Sequence, residues 1–284
     1  MRRTAAVTLF AFLALVPSAL AAGDPEIAAL QVGLRKHRVY TGQVDGVLGS
    51  ATVSAVRRLQ QKAGLTVDGV AGDETRGALG RYGRRAPLGG RVLAAGMRGW
   101  DVAALQFALA WHGFPSGNFD GIFGGATGRA LREFQRWTGL APDGRAGTAV
   151  VAALRTPTAT CPIRLKAPMP NAHTAAFGPR GSRFHTGVDY PGARGTPVNA
   201  AASGRVAFAG WRAGGWGYLV TIAHGRGVRT MYAHLSRVNV RLGQRVSVGQ
   251  RVGRVGASGY ATGPHLHFEV RLRGAAVDPV PALS

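Results

Sequence analysis

His265-Leu266-His267-Phe268-Glu269-Val270 is the stretch that decides the fold of the carboxyl-terminal half of the chain. Its polar and apolar side chains alternate, which is the pattern of a β-strand with one face towards a core. In such a strand His265 and His267 share a face and lie about 6.7 Å apart, while Leu266 and Phe268 point into the core. Glu269 shares the histidine face, and we predict that it is a rim or surface carboxylate.

Short runs rich in Val, Ala and Tyr and separated by glycine surround this stretch, at residues 217–224, 228–234 and 250–255. Gly225-Arg226-Gly227 lies between the first two runs and is typical of a hairpin turn. The sequence therefore predicts a mainly antiparallel all-β domain over residues 171–284.

Two further segments carry side chains that bind metals or move protons. Residues 185–189 read HTGVD, and a straight strand would separate His185 from Asp189 by roughly 13 Å, so the chain must bend for both to share an ion. His234 ends the predicted strand at 228–234. Two histidines and one carboxylate around Zn²⁺ leave a fourth position open, as in catalytic rather than structural zinc sites. Spacing alone does not say which histidines are ligands and which are acid or base.

The remaining histidines are interpreted as ordinary core or surface residues: His37, His112, His173 and His224.

The amino-terminal half contains a duplication, because residues 28–79 match residues 103–154 without a gap. Each copy has apolar residues at helical spacing, interrupted by Asp-Gly pairs and single glycines, which predicts three short helices per copy. We assign the copies to residues 22–84 and 98–155, with linkers at 85–97 and 156–170. An EF-hand is excluded, because neither loop has alternating acidic ligands or a closing glutamate. The shared landmarks pair as follows: Gln31 with Gln106, Asp45-Gly46 with Asp120-Gly121, Thr52 with Thr127, Gln60 with Gln135, and Asp68-Gly69 with Asp143-Gly144.

Residues 1–21 have the pattern of a cleavable signal peptide, with Arg2 and Arg3, an apolar run and an Ala-Leu-Ala end. No later stretch is long and apolar enough to span a bilayer, so we expect no stable membrane insertion after cleavage. The predicted location is the periplasm, the cell wall or the extracellular space. The single cysteine, Cys161, excludes a disulfide framework within the chain.

The charge is strongly positive, with 35 Lys and Arg against 13 Asp and Glu and a formal net charge of +22. Such a surface attracts polyanions. The chain has no recognisable nucleic-acid module and carries an export signal, so nucleic acid is not an expected partner.

Both halves resemble known families. The repeated pattern of Leu-Gln, Asp-Gly and Gly-Leu positions resembles the peptidoglycan-binding domain of cell-wall hydrolases. That resemblance implies small three-helix bundles that dock on glycan strands or stem peptides and carry no chemistry. The segments HTGVD, YAHL and GPHLHFEV resemble the signatures of the lysostaphin/LytM-type zinc endopeptidases, over about residues 177–279. This second resemblance implies that Zn²⁺ is held by His185, Asp189 and His267 and that His234 and His265 are catalytic.

These observations together predict an exported zinc endopeptidase that cuts peptide cross-links or bridges of bacterial peptidoglycan, with contacts to anionic wall polymers through its positive charge. One alternative is a wall-binding regulator without activity that stimulates a separate amidase. A biotinyl-lipoyl barrel is disfavoured because no lysine follows Lys166. An Fe(II) oxygenase, which also uses two histidines and a carboxylate, would need a longer jelly roll than the residues available.

Overall fold

The computed structural model describes residues 23–84 and 86–284. The predicted signal peptide, residues 1–21, lies outside the described residues. Within the described ranges no helix combines the length and the apolar character needed to cross a bilayer.

Six α-helices in the described chain form the two amino-terminal modules, three in each as predicted. Asp24 caps the first helix by accepting a hydrogen bond from the Glu26 N–H, and Gly64 ends the second at φ 68°, a conformation that glycine adopts without strain. Module 1 contains α1 (Pro25–Lys36), α2 (Ser50–Ala63) and α3 (Asp73–Ala78), and module 2 contains α4 (Trp100–Trp111), α5 (Gly125–Thr138) and α6 (Thr148–Leu154).

A buried glutamine in each module ties the first Asp-Gly loop to the helices. Gln31 Oε1 accepts hydrogen bonds from the N–H groups of Asp45 and Gly46, and its Nε2 donates to Asp45 Oδ1 at 2.7 Å. Gln106 makes the same three bonds to Asp120 and Gly121 in module 2. These shared residues therefore stabilise the loop in each copy. Their identity in the two copies is explained by this structural role and does not indicate a binding surface.

The two modules pack against each other through α1 and α4. Ala28 and Ala29 of α1 and Ala103 and Ala104 of α4 are fully buried in one shared core. Small side chains at a helix contact let the two axes approach closely. The two copies therefore share a hydrophobic core and are not independent domains.

The carboxyl-terminal domain is built from strands, and all of their pairings among the described residues are antiparallel, which confirms the predicted fold class. One sheet has the order β11-β10-β7-β6-β5-β8, with β3 on β10 and β9 between β7 and β4, whereas β1 and β2 form a separate hairpin. The strands are β1 (Gly178–Arg180), β2 (Arg183–His185), β3 (Val188–Pro191), β4 (Pro197–Asn199), β5 (Gly204–Arg212), β6 (Gly217–Ala223), β7 (Val228–Val238), β8 (Arg245–Val246), β9 (Arg251–Val255), β10 (His265–Leu272) and β11 (Ala275–Val277), and a 3₁₀ turn at Val280–Ala282 follows them.

The turn between β6 and β7 is the predicted hairpin, because Val228 N–H donates to Gly225 O at 2.8 Å and residues 225–227 all have positive φ. Leu165 and Met169, from the segment predicted as the second linker, are buried in the core of the β domain. Residues 156–170 are therefore packed on the domain into which they lead. Cys161 is half-buried at the edge of that core.

Candidate metal centre and active-site cleft

The predicted metal ligands meet where β3 pairs with β10. Asp189 lies directly opposite His267 in that register, and His185 ends β2. The chain bends at Thr186-Gly187, as the shared site requires. A Cβ on Gly187 would lie 2.2 Å from the Phe268 carbonyl oxygen, so the close approach of this bend to β10 needs glycine.

Three donor atoms converge at this point. His185 Nε2 lies 3.0 Å from Asp189 Oδ1, His267 Nδ1 lies 2.9 Å from the same oxygen, and the two nitrogens are 3.0 Å apart. A tetrahedral ion with bonds of about 2.0–2.1 Å separates its ligand atoms by about 3.3 Å, so the spacing fits zinc closely. All three residues are at least nine-tenths buried.

The outer nitrogens of these two imidazoles show which form they take. His185 Nδ1 is 2.7 Å from the Ala176 carbonyl oxygen, and His267 Nε2 is 3.1 Å from Glu269 Oε1. Because both partners only accept hydrogen bonds, we assign a proton to each outer nitrogen. When both rings are neutral, the inner nitrogens face each other as two acceptors beside a carboxylate, an arrangement that a cation satisfies. In the metal-free protein a proton on an inner nitrogen takes that place and bonds to Asp189 Oδ1.

Charge around the carboxylate is balanced from two sides. Burial by itself would raise the pKa of Asp189, but hydrogen bonds from His185 and His267 outweigh it and hold that pKa well below its usual range. The second oxygen, Oδ2, accepts a hydrogen bond from Arg180 Nη2 at 2.9 Å. Arg180 therefore binds Oδ2, and Oδ1 is the carboxylate oxygen that contacts both histidines. No pattern in the sequence indicated this role of Arg180.

Glu269 corrects one expectation. It is fully buried and is not the rim or surface carboxylate predicted from its place in the strand. It accepts hydrogen bonds from His267, Thr186 and Arg271. Burial alone would raise its pKa, but Arg271 and His267 lower it to about 2. Burial would lower the pKa of His267, but its hydrogen bonds with Asp189 and Glu269 raise that pKa to about 9. Glu269 therefore supports the ring of His267 from the side away from Asp189.

The two predicted catalytic histidines lie beside this centre. The ring centroids of His234 and His265 are 4.8 Å apart, and His265 Nε2 is 3.9 Å from Asp189 Oδ1. His234 Nδ1 donates to the Ser258 carbonyl at 2.8 Å, and His265 Nδ1 donates to the Gly263 carbonyl at 2.9 Å. Each ring thus keeps a free Nε2 for proton transfer. Burial lowers the pKa of His234, which favours its neutral form.

His234 reaches the cleft through an unusual backbone. In the antiparallel pair of β7 and β10, Ala233 is opposite His267 and Tyr232 is opposite Phe268. Regular alternation would therefore turn His234 towards the core side with Tyr232. Its φ of 60° lies in the left-handed region, and the side chain instead lies next to His265. No residue type in the sequence signals this turn.

The five site residues line a cleft of about 620 Å³. Its walls come from three segments, 174–191, 214–216 and 260–269, together with His234, and the rim includes Trp216 and the 88% exposed Tyr260. Among the described residues, none from either amino-terminal module lines it. Of the histidines interpreted as ordinary, His112 bonds to the Leu154 carbonyl and His224 bonds to Ser203 and Thr230, away from the cleft.

Comparison with known proteins matches both halves. Residues 183–279 match peptidase family M23, and residues 23–79 and 98–154 match the peptidoglycan binding domain family.

Individual relatives align with part of this chain. DD-carboxypeptidase/endopeptidase Mpg of Neisseria meningitidis serogroup B is 50% identical over 98 residues, which are 34% of this chain and 22% of Mpg. Glycyl-glycine endopeptidase ALE-1 of Staphylococcus capitis is 42% identical over 104 residues, which are 35% of this chain and 29% of that protein. The solved catalytic domain of lysostaphin from Staphylococcus simulans is 37% identical, and the match covers 39% of this chain and 90% of that one with a TM-score of 0.37.

The match thus spans less than a third of the length of either curated relative. Within that limit the two family matches agree with the boundaries of the helical and β halves, and the chain consists of two repeats of the peptidoglycan binding domain followed by a peptidase family M23 domain.

Proposed function

We propose that this protein is an exported, zinc-dependent endopeptidase that cleaves peptide cross-links or bridges in bacterial peptidoglycan. The observation that carries the proposal is the convergence of His185 Nε2, Asp189 Oδ1 and His267 Nδ1 within about 3 Å of one another, next to two further imidazoles with free Nε2 atoms. Two relatives, DD-carboxypeptidase/endopeptidase Mpg and glycyl-glycine endopeptidase ALE-1, are named for the same reaction class and support it.

The residues divide into binding and proton-handling groups. His185, Asp189 and His267 would hold zinc, which when bound supplies Lewis-acid polarisation of a scissile carbonyl. His234, neutral at physiological pH, is placed to take a proton from the attacking water through Nε2 and to pass it to the leaving amine. His265 Nε2 is placed to orient the same water, because the Nδ1 proton of this ring is bonded to the Gly263 carbonyl. The His234 ring, once it has taken the proton, would stabilise the developing oxyanion.

The amino-terminal modules would hold the enzyme on its insoluble substrate, and such tethering raises the effective substrate concentration. Export is supported by the signal-peptide pattern of residues 1–21, and the net charge of +22 suits contact with anionic wall polymers. Full-length protein is expected to pellet with purified sacculi, and the pelleted fraction should fall only partly when salt screens the charge.

The decisive experiment compares three alanine variants in metal content and in fragment release from purified peptidoglycan. His267→Ala should lose zinc and activity together. His234→Ala should keep zinc and lose turnover by roughly 10²-fold or more. His224→Ala is the matched control, because this histidine lies outside the cleft, and it should keep both.

Zinc lost from the His234 variant would mean that ligand and catalyst are assigned the wrong way round. Chelator-resistant hydrolysis by protein that contains no zinc would overturn the proposal as a whole.

The alternative is a regulator without hydrolytic activity. The complete set of three ligands and two catalytic histidines argues against it, since such a regulator has no use for a free imidazole pair beside a metal centre. It predicts that zinc-loaded protein releases no fragments from any peptidoglycan and yet accelerates an added amidase.

A further inference from the structure

The β1–β2 hairpin supplies two parts of the metal centre although it does not belong to the large sheet. Among the described residues its strands pair only with each other. His185, a proposed ligand, ends β2, and Arg180, which bonds to Asp189 Oδ2, ends β1. A two-stranded hairpin is marginally stable alone, so contacts beyond its own strand pairing hold this one in place.

The tip of the hairpin is bonded by both helical modules. The Val44 N–H of module 1 donates to Gly181 O at 2.8 Å, and the Phe119 N–H of module 2 donates to Ser182 O at 2.7 Å. Val44 and Phe119 occupy the same position in the two repeats, immediately before the Asp-Gly pair. The duplicated loops thus bind two successive carbonyl groups of one turn.

Side chains extend this contact along β2. Arg183 Nε donates to Asn118 Oδ1 at 2.9 Å. Phe184, next to the proposed ligand His185, packs edge-on against Trp111 at the end of α4, with ring centroids 5.2 Å apart. Both rings are partly buried and pack against the core that the two modules share. The residue before the proposed ligand is therefore in contact with the modules.

We propose that the two peptidoglycan-binding repeats are a structural part of the metal centre, because together they position the hairpin that carries His185 and Arg180. Val44, Phe119 and Trp111 are then positioning residues for a site that they do not touch. This positioning role is separate from anchoring the enzyme on the wall. It rests on the proposed function only for the measurement of hydrolysis.

The test uses full-length protein with proline in place of the two hairpin donors, Val44→Pro and Phe119→Pro, singly and together, because proline has no N–H to donate. Val67→Pro is a control for proline before an Asp-Gly pair of module 1, because Val67 donates no hydrogen bond to the hairpin. Its side chain is 52% exposed, whereas Val44 and Phe119 are buried. Trp137→Phe is a second control, since it removes the hydrogen bond from Trp137 Nε1 to Leu272 O, another contact between module 2 and the β domain.

Two quantities are measured besides hydrolysis of soluble wall fragments. Hydrogen exchange of the hairpin amides is followed in zinc-free protein, and zinc affinity is measured by competition with a chromophoric chelator. In the double variant the hairpin amides should exchange about tenfold faster than in the parent. The exchange rates of amides in the large sheet should not change. Its zinc affinity should fall about tenfold, as for other changes around a metal ligand, and both controls should match the parent.

Hairpin exchange and zinc affinity within twofold of the parent would overturn the proposal. If the double variant does not fold, Trp111→Ala decides by the same readouts, because it removes the packing on Phe184 and leaves both backbone bonds. Exchange in zinc-free protein does not require catalysis, so a chain without hydrolytic activity could still confirm or refute this role.

Discussion

Replacing His234 by glycine and by alanine should separate the cost of its backbone conformation from the loss of its imidazole. His234 has a φ of 60° inside β7, and its Nδ1 donates to Ser258 O. Both variants lose the same ring and the same hydrogen bond. The difference between them is therefore the effect of a single Cβ in the left-handed region.

The expected difference follows from two opposing effects. A left-handed conformation costs a residue with a Cβ about 1–2 kcal/mol, and glycine avoids this cost. The greater freedom of glycine in the unfolded chain offsets about 0.5–1 kcal/mol of that advantage. The His234→Gly variant should therefore be more stable than His234→Ala by about 0.5–1 kcal/mol, or about 1–4 °C in Tm for a chain of this size.

Thermal unfolding of zinc-free protein measures the difference, and both variants should lose about 10²-fold in hydrolysis. Ala233→Gly is the control at the neighbouring position, where no positive φ occurs, and there glycine should be the less stable residue by about 0.5–1 kcal/mol. An alanine variant at 234 as stable as the glycine variant, or more so, would refute the argument that the left-handed turn is strained.

Glu269→Gln should weaken zinc binding about tenfold in chelator competition, because the charged acceptor behind His267 is lost. His112→Gln should reduce the loss of stability on going from pH 8 to pH 5 in urea unfolding. Burial lowers the pKa of His112 below its ordinary value, so the folded protein gains stability from the neutral ring above about pH 6.5 and loses it as the pH falls further. Gly187→Ala should cost about 1–3 kcal/mol and weaken zinc binding, since its Cβ would meet a backbone carbonyl of β10. Gly263→Ala, with nothing within 4 Å of an added Cβ, should change the free energy of unfolding by less than about 0.5 kcal/mol.

The sequence predicted the elements of this protein better than the contacts between them. Alternation in residues 265–270 identified a strand whose apolar face is buried, and the structure pairs that strand with β3 and β7. The bend at 186–187 followed from the distance that His185 and Asp189 must close. The resemblance to the zinc endopeptidases supplied the division of five residues into ligands and catalysts.

What the sequence could not show depends on backbone groups or on distant parts of the chain. Carbonyl groups at Ala176, Ser258 and Gly263 fix three of the imidazoles, and any residue type provides a carbonyl. The prediction that Glu269 is a rim or surface carboxylate was wrong because strand alternation gives the face on which a side chain lies. Alternation does not show whether other residues cover that face. The structure puts Thr186 and Arg271 against its carboxylate, and these partners offset the cost of burying the charge.

The contact with the β1–β2 hairpin suggests a structural role for the duplication of the helical module. Two neighbouring carbonyl groups at the tip, those of Gly181 and Ser182, each accept a hydrogen bond from a different module. In each module the first Asp-Gly loop gives one N–H to this turn, so one copy bonds only one of these two groups. Because α1 and α4 pack through equivalent alanines, the second copy brings its own donor to the neighbouring carbonyl. A second module that served only to increase wall affinity would have no reason to lie in register with the first at this turn.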